Sequence, residues 1–181
     1  ISPGNFQKPF FRIFTGHDNQ PSHTSSDQMK NSRIIIVGCG PAGIACAIQL
    51  KRMGQEPLVI EKDHPGGMLV NANLIENYPG FPGGITGPEL AKRLVKQFDS
   101  YHIEIMTDEV QSAKFESNTF TLKGNSAIYS CEVLIVATGT IPVVPDNLPV
   151  ALIENGLVHF DISGLRHFKE KTIGIIGAGD A

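Results

Sequence analysis

The densest chemical signal in the chain is Gly38, Cys39, Gly40, Pro41, Ala42 and Gly43, in the spacing G-x-G-x-x-G. Between a strand and a helix each glycine has a use. Gly38 permits a tight turn out of the strand, Gly40 lets the backbone come close to a pyrophosphate, and Gly43 lets the helix pack tightly on the strands. The helix start offers N–H groups and partial positive charge to the phosphates. Glu61 follows about twenty residues on, where a carboxylate at a strand end can accept the hydrogen bonds of a ribose diol. The chemistry these residues support is the holding of a dinucleotide. No general acid, base or nucleophile can be named, and Cys39, Cys46 and Cys131 form neither a C-x-x-C nor a metal spacing.

The elements that must position these residues follow from the apolar pattern. Residues 33–37 (RIIIV) form a short β-branched run suited to a buried parallel strand. A helix is expected from Pro41 to about Met53, with Ile44, Ala47, Ile48 and Leu50 on its apolar side, and residues 58–60 form a second buried strand that Glu61 closes. Residues 64–69 (HPGGML) cannot be regular structure; their two glycines give either a backbone able to run close to a flat ligand or a solvent-exposed turn. Residues 76–84 make a second loop, shaped by Pro79 and Pro82, in which Asn77 can bind donors and acceptors.

From Thr86 to about Tyr101 a helix is expected, opened by a Thr86/Glu89 capping box. Leu90, Leu94 and Phe98 give it one buried stripe, and Lys92, Arg93 and Lys96 face water. Residues 103–106, 113–122 and 127–129 suggest a small antiparallel meander, with a hairpin at residues 123–126. Residues 132–137 (EVLIVA) are a further buried strand ending in Ala137, Thr138 and Gly139, at the strand end where open α/β sheets bind ligands. Pro142, Pro145 and Pro149 mark a linker. Residues 172–176 then read as another strand, followed by Gly177 and Gly179.

Bulk properties exclude several classes. The formal net charge of -3 implies neither nucleic acid nor an anionic membrane as partner. No apolar run approaches a bilayer span. Three cysteines without a pairing pattern suit a reducing, cytoplasmic compartment. Residues 1–28 mix prolines and serines with no sustained period, so they are set aside as a leader, a cloning remnant or translated upstream sequence. A domain is expected over residues 29–141, with a linker and the truncated start of another over 142–181.

Taken together, the motifs resemble the two-dinucleotide-binding-domain flavoprotein reductases of the pyridine nucleotide-disulfide oxidoreductase superfamily, within them the thioredoxin reductase-like branch. The resemblance rests on Gly38 to Gly43, Glu61, Gly66-Gly67-Met68-Leu69, Asn77-Tyr78-Pro79-Gly80, Thr86-Gly87-Pro88-Glu89-Leu90, Ala137-Thr138-Gly139 and the second glycine turn. It implies an α/β fold: a Rossmann-like three-layer FAD-binding domain, with a parallel sheet plus a small antiparallel meander, then the first strand and turn of a second Rossmann-like NAD(P) domain. By the same resemblance, Gly38, Gly40, Pro41, Ala42 and Gly43 hold the FAD pyrophosphate and Glu61, with Lys62 beside it, the adenosine ribose. Gly66, Gly67, Met68 and Asn77 lie along the flavin, Val110 lies near the adenine, and Ala137, Thr138 and Gly139 close over the cofactor. Gly177 and Gly179 begin the NAD(P)H site.

There are departures from the family pattern. Met68 stands where the family usually has Gln. Counting back from Thr172, the redox C-x-x-C of thioredoxin reductases falls on Phe160 and Ser163, which cannot form a disulfide. Cys39, Cys46 and Cys131 are read as packing residues, and His159, near the lost dithiol position, as a surface or core residue that could instead face a flavin. The expected function is an FAD-dependent NAD(P)H oxidoreductase that passes electrons to a non-disulfide acceptor, like the ferredoxin (flavodoxin)–NADP reductases of this type. The expected partners are a nicotinamide cofactor and a small redox protein, and the full-length family member is expected to be a homodimer. The alternatives are an FAD-binding fragment without turnover and a thioredoxin reductase-like protein lacking its dithiol.

Overall fold

Four strands rich in β-branched residues build the sheet on which everything else rests. The computed structural model describes residues 12–15, 29–141, 144–145, 148–160 and 172–175. β3 (Ile34–Val37) pairs in parallel with β4 (Pro57–Glu61) on one side and β9 (Val133–Val136) on the other, and β5 (Glu104–Thr107) pairs in parallel with β4. The sheet order is therefore β5-β4-β3-β9. Parallel strands need crossover connections, and two helices provide them: α1 (Pro41–Arg52) between β3 and β4, and α2 (Gly87–Asp99) between β4 and β5.

Period-two alternation along these strands sorts their side chains into two cores. Ile36 and Val59 face the helices and pack with Ile44, Ala47, Ile48, Phe98 and Ile103. Ile35, Val37, Leu58 and Ile60 face the other way, onto Val110, Ala113, Leu122 and Tyr129 of a second sheet. The result is three layers, helices on parallel sheet on antiparallel meander, as the resemblance implies. Burial of each large aliphatic side chain contributes about 1.5–3 kcal/mol.

The meander consists of β6 (Val110–Glu116), β7 (Thr119–Gly124) and β8 (Ile128–Cys131), paired antiparallel. Two corrections to the expected strands arise here. Residues 103–106 do not enter the meander: β5 adds to the parallel sheet beside β4. Residues 113–122 are not one strand, because Ser117 and Asn118, at φ 48° and 63°, form a two-residue turn between Glu116 and Thr119. Positive φ at both central positions is the geometry whose twist suits a tight hairpin. The turn at residues 123–126 forms as expected, with Gly124 N–H donating to Ala127 O at 2.9 Å.

One carboxylate fastens this turn. Asp108 is 6% exposed. Its Oδ1 accepts from the N–H groups of Glu109, Asn125 and Ser126 at 2.8, 2.9 and 3.1 Å. Its Oδ2 accepts from Ala127 N–H at 3.2 Å and from the Tyr129 hydroxyl at 2.8 Å. Gly124 leaves room for it, since a Cβ there would stand 2.1 Å from Oδ2. Burial alone would raise the Asp108 carboxyl; the bonds from Tyr129, Ser126 and Glu109 outweigh it and hold the group below the usual carboxylate range.

The meander's two edges carry strands from further upstream. β2 (Met29–Asn31) runs parallel to β8, and β1 (Arg12–Thr15) runs parallel to β6. The composition of residues 1–28 predicts no part for them in the fold, yet Arg12–Thr15 joins the sheet: strand pairing uses backbone groups, which composition does not reveal.

Two further expectations are corrected. Thr86 is the N-cap of α2 but makes no side-chain cap bond, and the Glu89 side chain turns to Arg93, whose Nε donates to Oε1 at 2.9 Å. Residues 172–175 are not a strand: none of them pairs with a described residue, and Ile173 and Ile175 are 48% and 84% exposed. An apolar run becomes a strand only beside a partner that takes its backbone hydrogen bonds. The chain divides into two compact units between Gly139 and Thr140. In the second, Pro149 caps a short helix, α3 (Val150–Glu154). Among the described residues no helix is long and apolar enough to cross a membrane.

Candidate dinucleotide-binding site

The β3–α1 junction is shaped by what its glycines exclude. Gly38 has φ 103°, and a Cβ on it would lie 2.3 Å from Ala137 O; its N–H donates to Ile60 O at 2.8 Å. The turn out of β3 is thus wedged against the ends of β4 and β9. At Gly43 a Cβ would stand 2.0 Å from Gly38 O, so only glycine allows α1 to sit this close to the strand. Gly40 is different. Its φ of −76° suits any residue, and a Cβ there would meet nothing within 4 Å. The space in front of Gly40 is open, as an approaching phosphate requires.

α1 begins at that opening. Gly40 is the N-cap and Pro41 the first helical residue, and the first turn carries no acidic side chain. Ile44 N–H makes the first intrahelical bond, to Gly40 O at 2.9 Å, so the N–H groups of Ala42 and Gly43 stand ahead of it, without a place in the helical ladder. Partial positive charge at this end is unopposed by any carboxylate on the helix.

Glu61 ends β4 and turns inward, 9% exposed. Its Oε2 accepts from Cys39 N–H at 2.6 Å and its Oε1 from Asp63 N–H at 3.1 Å. The carboxylate therefore braces the glycine loop from inside while each oxygen keeps a lone pair for another donor. Lys62 follows it, exposed.

A second glycine pair comes to the same place. Gly66 and Gly67 have φ 105° and 58°, and Gly66 N–H donates to Cys39 O at 2.8 Å. A Cβ on Gly67 would lie 3.2 Å from the Gly40 Cα, so residues 66–67 lean directly on the phosphate-facing loop. The short 3₁₀ turn Gly67–Asn71 follows, and its Met68 is 56% exposed. Ala137 and Thr138 flank Gly38 from β9, and Gly139 has φ 70°.

Gly38, Gly40, Pro41, Ala42, Gly43, Glu61, Gly66, Gly67, Ala137 and Thr138 thus come together around one helix end. Asn77 is exposed, on the loop of residues 76–84. Val110 is 7% exposed, and its side chain belongs to the core between the sheets, so it can offer a ligand only its backbone. Gly177, Gly179 and Ser163 lie outside the described residues. Phe160 is described and exposed, as is His159.

The cysteines bear out the packing assignment. Cys39 is fully buried, and burial, with Glu61 and Asp99 adding to it, pushes its thiol up to about 12. Burial pushes Cys131 up to about 11, against a backbone hydrogen bond with Ile35, and raises Cys46 as well. Raised thiols are poor nucleophiles at neutral pH. Among the described residues, no cluster of three His, Cys, Asp or Glu side chains is placed to hold a metal. One contact was not expected: the Arg93 guanidinium lies over the Phe81 ring, 5.5 Å from its centroid. The signal for it was an aromatic within a proline loop and an arginine on the adjoining helix.

Strand, glycine turn, helix and inward acid define a dinucleotide-binding α/β domain. The family model described as pyridine nucleotide-disulphide oxidoreductase matches residues 32–181, and the chain belongs to that family. It is 34% identical over 155 residues to a thioredoxin reductase from Buchnera aphidicola, covering 85% of this chain and 49% of the relative. It is 38% identical over 112 residues to glucosaminate ammonia-lyase from Pseudomonas fluorescens, covering 62% of this chain and 35% of the relative. The chain therefore spans about a third to a half of the length of these relatives. Among solved structures it resembles a ferredoxin-flavin thioredoxin reductase from Clostridium acetobutylicum, with TM-score 0.60 and 29% identity over 65% of this chain and 41% of that one. Thioredoxin reductase-like members of the family use FAD and NADPH.

Proposed function

We propose that this chain carries the FAD site of an NAD(P)H-dependent oxidoreductase whose electron acceptor is not a protein disulfide. The observation that carries the FAD reading is the open face of Gly40 at an acid-free helix start, with Glu61 turned in beside it. The residues fit the cofactor. Gly40, Ala42 and Gly43 would hold its pyrophosphate through N–H groups, and Glu61 the ribose diol through its spare lone pairs. Gly66, Gly67, Met68 and Asn77 would lie along the flavin, with Thr138 and Gly139 closing the site. Bound there, the flavin would supply hydride acceptance from a nicotinamide and onward electron transfer. The protein's part is to orient it and exclude water.

The acceptor is inferred from side chains. The positions expected for a dithiol hold Phe160 and Ser163, and the thiols of Cys39, Cys46 and Cys131 are all raised. A relative named as an ammonia-lyase is consistent with the family serving reactions other than disulfide reduction. A small redox protein such as a ferredoxin is the partner favoured by this reading. The test is anaerobic addition of NADPH, then NADH, to the FAD-loaded chain. Bleaching of the flavin colour without a gain in titratable thiols supports hydride transfer to the flavin on this chain with no disulfide reduced; a flavin that stays oxidised with both nucleotides removes the enzyme reading.

A further inference from the structure

The loop of residues 76–84 is closed at its neck by paired backbone bonds between Ile75 and Ile85, at 2.8 and 3.0 Å, and by Gly84 N–H to Phe81 O at 2.9 Å. Above the neck its aromatic rings meet each other: Tyr78 and Phe81 lie 6.2 Å apart, tilted by 45°. From outside the loop, Arg93 of α2 reaches over the Phe81 ring, and Glu89 one turn earlier fixes the guanidinium by accepting from Nε at 2.9 Å. α2 is in turn fastened to the turn that carries Gly67 and Met68. Gly87 N–H donates to Ala72 O at 3.0 Å, and a Cβ on Gly87 would lie 1.8 Å from Leu69 O, so the two elements cannot shift independently.

We infer that Arg93 is a positioning residue: through Phe81 it sets where the loop bearing Asn77 stands relative to Gly66 and Gly67. This rests on the proposed FAD site, to which both segments contribute. On this reading Arg93 acts through the Phe81 ring and not as a ligand of the cofactor. Its side chain is 58% exposed, so a moderate effect is expected rather than an all-or-none one.

The experiment is an FAD titration of the chain, followed by flavin fluorescence and visible circular dichroism, for wild type, Arg93→Ala, Phe81→Leu and the double variant. Arg93→Ala and Phe81→Leu each weaken binding about threefold and change the bound flavin's dichroism alike. The double variant is no weaker than either single one, since both break one contact. Phe81→Tyr, which keeps the ring, binds as wild type does, and so does Lys92→Ala on the neighbouring exposed position. Arg93→Ala leaves the core untouched and carries the test should Phe81→Leu fold poorly. Unchanged affinity and dichroism in Arg93→Ala, or additive losses in the double variant, overturn the inference while leaving the FAD site standing. Failure of the wild-type chain to bind FAD removes both.

Discussion

Two buried carboxylates, Glu61 and Asp108, do different work with the same chemistry. Glu61 accepts two N–H groups and keeps capacity for a ligand; Asp108 accepts from four backbone N–H groups and a hydroxyl and has none to spare. Asp108→Asn places an amide NH₂ among donors and is expected to cost about 2–4 kcal/mol, read by urea unfolding. The pH dependence has a definite sign. Because folding holds this carboxyl below its usual range, its contribution is fully present above the unfolded value of about 3.9 and is lost as pH falls through the lower folded value. Wild type should therefore lose stability in that acid range more steeply than Asp108→Asn. Parallel acid profiles for the two would show that the hydrogen bonds do not shift the group.

At the scale of elements, the hairpin between β6 and β7 makes its own prediction. Ser117 and Asn118 both sit at positive φ without being glycine. Replacing the pair by Asn-Gly supplies the residues that this turn geometry favours, and should stabilise the chain by roughly 0.5–1 kcal/mol, seen as a higher midpoint in thermal unfolding. A lower midpoint would mean that the Ser117 and Asn118 side chains make contacts of their own. The same turn shows where the sequence is opaque. Serine and asparagine interrupt an alternating run without a glycine or proline, so residues 113–122 look continuous. The pairing of β5 with β4 is opaque for a related reason: an alternating apolar-polar pattern says that a segment is half buried, not which strand it pairs with. β3, α1 and β4 were legible because each is a local matter, a β-branched run or a helical period bracketed by glycines whose spacing has one steric use. Asp108 was not, since beside Glu109 it reads as a solvated acid, and only the fold brings residues 124–129 against it. The Glu89 half of the expected Thr86/Glu89 box is given up to Arg93, one turn on, which offers the carboxylate a charged partner.

At the scale of the whole molecule, the three layers have one functional consequence: the β3–α1 junction is held rigidly from both sides, by Ile60 and Ala137 around Gly38 and by Gly67 against Gly40. Such rigidity lowers the ordering cost of binding a phosphate by backbone N–H groups. The central claim, that a dinucleotide's pyrophosphate rests on the start of α1, is tested most directly by Gly40→Asp. The backbone there suits any residue and a Cβ meets nothing, so the fold should be untouched; aspartate is a favoured N-cap, and α1 should be slightly more stable. Its carboxylate, however, would stand where the phosphates go. Calorimetric titration with FAD, alongside thermal unfolding of the ligand-free protein, separates the two effects. Unchanged or raised thermal stability with FAD binding lost is the predicted result, and FAD binding as tight as that of wild type would contradict it.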